Sequence, residues 1–153
     1  MSMKEKLKEN LLSSCREFVR LKLENLETAL NSAKESGNDE TKNTTGDKHE
    51  TGKAMMQLEQ EKIGIQLAEM QKLNKMLDLV PLSLNPGKIK PGNVVITDQG
   101  NFYLAVAAGK INSGNEMYFA ISPASPLGNL FIKSEEGKTI NLQGKIYKVL
   151  ETF

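Results

Sequence analysis

Two long stretches of the chain carry apolar residues at intervals of three and four, and this spacing constrains the fold more than any other feature. Residues 3 to 35 contain no glycine or proline. The apolar positions there are Leu12, Cys15, Val19, Leu23, Leu26, Leu30 and Ala33. From about residue 47 to residue 80 the same spacing returns at Met56, Ile63, Leu67, Met70, Leu73 and Leu77. Each stretch predicts a long helix with one apolar stripe.

A polar segment separates the two predicted helices. Residues 36–46 (SGNDETKNTTG) include two glycines, two asparagines and four hydroxyl residues, which favour turns over helix. Two helices with single stripes and a short connection bury those stripes against each other. We therefore predict an antiparallel coiled-coil hairpin over residues 1–80, with an acidic tip near residues 36–50. About 30 helical residues would make an arm of about 45 Å.

The second half of the chain has the composition of a linker followed by a small β domain. Residues 81–92 contain three prolines and two glycines, which is typical of a stiff connector. Residues 93–153 then change to a strand-like period. We predict antiparallel strands at 93–97, 102–107 and 116–121, a short helix within 125–132, and a final hairpin of strands at 138–142 and 145–150. The predicted fold class is α+β, a helical hairpin followed by an antiparallel β domain with one short helix.

Composition narrows the classes of partner. Lys and Arg number 20 against 19 Asp and Glu, so the chain lacks the strong net charge that holds a protein on nucleic acid or anionic lipid. We expect no membrane association, because no stretch approaches the roughly 20 apolar residues of a membrane span. We also expect no sequence-specific DNA binding. Cys15 is the only cysteine, which suits a reducing cytoplasm, and its place on the stripe predicts a core residue of the hairpin.

The predicted tip carries the side chains that could bind a metal ion or contact a partner. Asp47 and Glu50 stand three apart where the second helix begins, so they project from one face and could share a hard cation such as Mg²⁺. The same spacing also suits a capping box. His49 is a candidate ligand or a solvated side chain, and Lys48 and Lys53 are candidate contacts for RNA or a protein partner. We expect no stably bound cofactor, since one cysteine and one histidine cannot complete a zinc site.

Two motifs resemble those of the Gre transcript-cleavage factors. The first is formed by Ser125, Pro126, Leu127 and Gly128, followed by Gly137 and a last strand ending in YKVLE at residues 147–151. It resembles the C-terminal domain of that family, where an S-P-[IL]-G helix lies between the strands of an FKBP-like sheet. The second, GDKHE at residues 46–50, resembles the G-D-x-x-E at the tip of the family's coiled coil. In architecture the resemblance covers nearly the whole chain.

The resemblance implies a function in transcription. In Gre factors the C-terminal domain docks at the rim of the secondary channel of bacterial RNA polymerase, and the coiled coil enters the channel. The tip carboxylates then help to hold a polymerase Mg²⁺, and the polymerase cleaves the 3′ end of backtracked RNA. By position, Asp47 and Glu50 would be those carboxylates, and Ser125, Pro126, Leu127 and Gly128 would belong to the docking domain. The expected partners are RNA polymerase and the nascent RNA 3′ end, and catalysis would remain the polymerase's.

Two other functions stay open. The family continues its tip motif with N-A-E-Y, whereas this chain has Thr51, Gly52, Lys53 and Ala54. A factor changed in this way could occupy the channel as a regulator or decoy without stimulating cleavage. An FKBP-type prolyl isomerase is the alternative from another class. It would need an aromatic pocket, whereas the aromatic residues of the β domain occupy positions that a strand pattern uses for packing: Phe102, Tyr103, Tyr118, Phe119, Phe131, Tyr147 and Phe153.

Overall fold

A computed structural model describes residues 1–42 and 46–153, and it describes the side chains of residues 1–36 and 51–153. The chain divides into two compact units. One unit consists of Val19–Lys75. The other combines Met1–Phe18 with Met76–Phe153. The fold is α+β, as predicted, with two long contacting helices followed by a six-stranded sheet and one short helix.

The two helices of the hairpin are α1 (Met3–Lys42) and α2 (Gly46–Leu77). In the unit Val19–Lys75 their predicted stripe positions are all buried or half-buried. The contact between them includes the side-chain amide of Gln60, which donates a hydrogen bond to the carbonyl oxygen of Ala33 at 3.4 Å. Met55, Leu58 and Ile65 lie off the stripe of α2 and are more than 60% exposed. The structure thus confirms the helical hairpin.

The sheet of the second unit has six strands in the order β3-β4-β2-β1-β6-β5. The strands are β1 (Val94–Thr97), β2 (Gly100–Leu104), β3 (Gly109–Ser113), β4 (Glu116–Ile121), β5 (Thr139–Leu142) and β6 (Lys145–Thr152). The short helix α3 (Pro126–Ile132) follows β4. None of the described helices combines the length and the apolar composition of a transmembrane span.

The prediction of three antiparallel strands was wrong in one respect. Strand β3, which the sequence prediction omitted, pairs antiparallel with β4, whereas β2 pairs with β4 in parallel. The chain leaves the sheet after Leu104, and Gly109 begins β3 with a positive φ of 76°. Because β3 adds one more reversal, β4 returns in the direction of β2. Ile111 is the one apolar residue of β3, so the strand has little hydrophobic pattern.

The core of the sheet unit is built around aromatic rings. Phe102 of β2 packs against Phe131 of α3 with ring centroids 5.3 Å apart, and Tyr147 of β6 meets Phe102 edge-on at 5.9 Å. Phe131 is fully buried. Ile89, from the segment predicted to be a linker, is 2% exposed and belongs to the same core. This segment therefore contributes to the packing of the sheet unit.

The first residues of α1 pack within the same unit as the sheet. Leu11 and Cys15 are fully buried, and the exposed guanidinium of Arg16 pairs with Asp78 at 2.8 Å. Burial raises the pKa of the Cys15 thiol to about 11, opposed by a backbone hydrogen bond from Val106. Cys15 is thus buried, as predicted, but it belongs to the core of the unit that contains the sheet and not to the hairpin unit Val19–Lys75.

Lys8 is the one lysine of the described chain that is fully buried. Its ammonium donates a hydrogen bond to the carbonyl oxygen of Ser83 at 2.8 Å. Desolvation by burial lowers the pKa of Lys8. The folded protein therefore binds this proton less well than the unfolded chain, so stability should rise as the pH increases through the lowered pKa toward the usual lysine value of about 10.

We expect Lys8→Met to raise the free energy of unfolding by about 1 kcal/mol at pH 7, because Met fills the site without a buried charge. The gain should shrink as the pH rises toward the usual lysine value, because the folded wild-type protein releases this proton more readily than the unfolded chain does. Urea denaturation at pH 7 and pH 9.5 measures both effects. Lys6→Met, at an exposed position of the same helix, is the control. A gain that is equal at both pH values would contradict the assignment.

The hairpin offers a matched pair of isoleucines. Ile63 is 5% exposed and Ile65 is 63% exposed, although both lie in the middle of α2. Ile63→Ala should cost about 3 kcal/mol because it leaves a cavity between the helices, whereas Ile65→Ala should cost less than about 0.5 kcal/mol. Chemical denaturation followed by circular dichroism at 222 nm compares the variants. Equal losses would contradict the observed burial.

Candidate functional site

The side chains predicted to form the tip lie outside the described residues. These are Asp47, Lys48, His49 and Glu50. Helix α2 begins at Gly46, so the backbone at Asp47 and Glu50 is helical, and their shared face stays a prediction. Lys53, the remaining tip candidate, is described and exposed to solvent. Its contact with RNA or a protein partner also stays a prediction.

The described side chains contain no group of three or more His, Cys, Asp or Glu residues that could hold a metal ion. A pair of carboxylates contributes two ligands, and Mg²⁺ completes its octahedral shell with water or with phosphate oxygens. The predicted pair of Asp47 and Glu50 has the chemistry of such a partial site.

Ser125 caps α3. Its hydroxyl oxygen accepts a hydrogen bond from the N–H of Gly128 at 3.1 Å and donates one to the carbonyl oxygen of Ser122 at 2.6 Å. Its backbone is extended, with φ −66° and ψ 159°, and Pro126 opens the helix where an N–H would have no partner. The predicted cap is therefore confirmed, and the serine also fixes the preceding turn.

Gly128 is required by a close approach of the backbone. A Cβ atom at this position would overlap the carbonyl oxygen of Ser122 and lie 2.9 Å from the Ser125 hydroxyl. Leu127, next to it, is half-buried against the aromatic core, whereas Pro126 is exposed. Each of the four motif residues thus has a structural reason for its identity. The docking role of the motif stays a prediction, and Pro126 is its exposed member.

The aromatic residues that would have to line an isomerase pocket mainly contact one another. Phe102, Phe131 and Tyr147 are each at most 7% exposed, and Phe119 packs on Phe102 at a centroid distance of 5.9 Å. The rings fill the space between α3 and the sheet.

The one buried polar side-chain atom without a hydrogen-bond partner in the described chain is the hydroxyl of Tyr103.

A lysine-lined cleft on the sheet unit has no signal in the sequence. The cleft has a volume of about 540 Å³, and Lys88, Lys133 and Lys138 lie around it. Lys133 and Lys138 lie in the connection between α3 and β5, whereas Lys88 lies more than 40 residues earlier, so no local pattern joins all three. An isolated antiparallel bridge between Lys88 and Glu135 brings Lys88 to this connection.

Alanine substitution at two helical glycines should change the free energy of unfolding in opposite directions. Gly128→Ala should cost about 3 kcal/mol of unfolding free energy, because Ser122 and the turn before α3 must move. Gly64→Ala should stabilise by about 1 kcal/mol, because nothing lies within 4 Å of the added carbon and alanine favours helix. Urea denaturation of both variants checks the signs. A neutral Gly128→Ala would contradict the close approach.

Comparisons with known proteins give no match. No protein-family model, no curated protein and no solved structure matches this chain. The structure by itself shows a helical hairpin followed by a β-sheet domain, which is compatible with a Gre-like architecture.

Proposed function

We propose that this protein is a Gre-like transcription factor that acts in the secondary channel of bacterial RNA polymerase. Its tip carboxylates would join the catalytic Mg²⁺ of the polymerase and promote cleavage of backtracked RNA. One observation carries the proposal. A hairpin of two long helices, the second beginning at the G-D-x-x-E segment, precedes a sheet in which an S-P-L-G helix lies between β4 and β5.

The helices of the hairpin support this proposal through their length and their burial. Helix α2 has 32 residues, which extend over about 48 Å at 1.5 Å per residue. Within Val19–Lys75 the stripe residues of α1 and α2 are buried or half-buried, and much of the remaining surface carries Lys, Glu, Gln and Asn. Two paired helices with such a surface suit entry into a water-filled channel of a larger partner.

The chemistry of the tip supports a role at a shared metal. Mg²⁺ stabilises the charge that develops when a phosphodiester is cleaved, and one or two protein carboxylates are its usual protein ligands. Asp47 and Glu50 would supply those ligands. Lys48, His49 and Lys53 carry side chains that can contact the phosphates or bases of the RNA 3′ end. The protein would bring no stably bound cofactor of its own.

A regulator or decoy that does not stimulate cleavage is the second candidate. Lys53 is exposed and stands where the family motif has a glutamate, so the charge at this position is reversed. Gly52, within the first turns of α2, lowers helix propensity by about 1 kcal/mol relative to alanine. Both changes lie beside the proposed metal ligands, and both would weaken a site that depends on acidic charge and a fixed helix.

An assay on a stalled elongation complex tests the proposal. A purified bacterial RNA polymerase is held in the backtracked state at low Mg²⁺, the full-length protein is added, and shortened RNA is measured on a denaturing gel. We expect wild-type protein to accelerate cleavage. Asp47→Asn and Glu50→Gln should each lose at least about tenfold of that acceleration, because each removes one anionic ligand. Glu61→Gln, at an exposed position of α2, is the control and should retain it.

Binding to the polymerase is measured in parallel by fluorescence anisotropy of labelled protein. Binding without cleavage would favour the regulator, and in that case Lys53→Glu should increase cleavage by restoring negative charge at the tip. Absence of binding to core polymerase and to the elongation complex would contradict both candidates. Equal loss in Glu61→Gln and Asp47→Asn would contradict the assignment of the ligands.

A further inference from the structure

The lysine-lined cleft lies at one edge of the sheet. Strand β5 is the last strand of the sheet order and pairs only with β6. Residues Lys138, Thr139, Ile140 and Asn141 of this edge line the cleft, together with Leu130 at the end of α3. The cleft therefore combines an open strand edge with a partly apolar floor, since Ile140 is 9% exposed and Leu130 is half-buried.

The main chain of β5 offers unpaired hydrogen-bonding groups at this edge. The N–H of Val149 donates to the carbonyl oxygen of Lys138 at 2.9 Å, so the main chain of Lys138 faces β6. Successive residues of an antiparallel strand alternate in direction, so Thr139 and Asn141 direct their N–H and C=O groups away from β6. In the described structure these groups make no hydrogen bond with any other element. Such an edge can pair with an additional strand.

The charge around the cleft is positive and is not neutralised within the described chain. Lys88, Lys133 and Lys138 are exposed and form no ion pair with a described residue. Glu135 is the one acidic residue that lines the cleft. Its neighbour Glu136 is engaged elsewhere, because its carboxylate accepts a hydrogen bond from the N–H of Thr152 at 3.0 Å. Three ammonium groups thus face one carboxylate.

We propose that β5 and these three lysines form a docking site for an extended acidic segment of a partner protein. The segment pairs with the main chain of Thr139 and Asn141 as a seventh strand. On the face that Lys138 and Ile140 share, its side chains include carboxylates, which meet Lys88, Lys133 and Lys138, and apolar groups, which lie against Leu130 and Ile140. The inference concerns a surface apart from the tip of the hairpin and does not depend on the proposed cleavage function.

The edge favours a peptide over a nucleic acid for a chemical reason. The exposed main chain of β5 presents both N–H donors and C=O acceptors, and a peptide strand satisfies both. The phosphates of a nucleic acid only accept hydrogen bonds, and its bases do not repeat donors and acceptors at the spacing of a strand edge. The combination of a mixed donor and acceptor edge, an apolar floor and lysines therefore matches an acidic peptide.

Binding of a defined peptide to the full-length protein tests the proposal. The probe is a fluorescein-labelled octapeptide with Thr at every odd position and Glu and Val in turn at the even positions, so that Glu and Val share one face of the strand. It is titrated by anisotropy at 50 mM salt. We expect saturable binding that weakens at least about tenfold in the double variant Lys133→Glu, Lys138→Glu. Lys110→Glu is the matched control, because Lys110 is an exposed lysine on β3 at the opposite edge of the same sheet, and it should bind like wild type. Equal weakening in both variants would overturn the assignment of the site.

Two further probes separate strand pairing from attraction between charges. The same peptide, N-methylated at every second residue to remove N–H donors, should bind at least about tenfold more weakly. Hydrogen exchange of the Thr139 and Asn141 amides, followed by NMR, should slow when the unmodified peptide is bound. The proposal is overturned if the methylated peptide binds equally well, or if a single-stranded oligoribonucleotide of equal charge displaces the peptide at the same concentration. Absence of binding at 1 mM peptide would also overturn it.

Discussion

The fold depends on the burial of one apolar stripe along α1. The stripe supplies buried side chains to both compact units: Leu12 and Cys15 pack in the unit that contains the sheet, and Val19 and Ala33 pack in the hairpin. Burying apolar surface is the main favourable term for two helices with few other contacts, at about 25 cal/mol per Å². Surface ion pairs such as Arg16 with Asp78 contribute little by comparison because both partners are more than 40% exposed.

Much of this fold could be predicted because its signals are local. The stripes of α1 and α2 follow from spacing alone, and the start of α3 follows from serine before proline. Strand β3 was missed because Ile111 gives it one apolar position, and the parallel pairing of β2 with β4 depends on that strand. The burial of Lys8 was missed because lysine is normally solvated. Its position four residues before Leu12, in line with the stripe, was the available signal.

The candidate sites also differ in whether a local sequence pattern could predict them. The tip pair is a local pattern in the sequence, and its side chains lie outside the described residues, so its role is still a prediction. The cleft lysines could not be predicted, because Lys88 is more than 40 residues from Lys133 and only the backbone bridge to Glu135 joins the segments. The S-P-L-G motif was found from sequence, but the cap by Ser125 and the tight turn at Gly128 explain most of it as a requirement of folding. A motif with such a structural cause identifies a fold more securely than a function.

The reactivity of the buried Cys15 thiol can report local opening of the fold around the start of α1. Only a deprotonated and accessible sulfur reacts quickly with alkylating reagents, and Cys15 is fully buried with a raised pKa. Any reaction must therefore wait for the start of α1 to separate from the residues around Val106. The speed of alkylation in the native protein then measures how often that separation occurs, without any label being introduced.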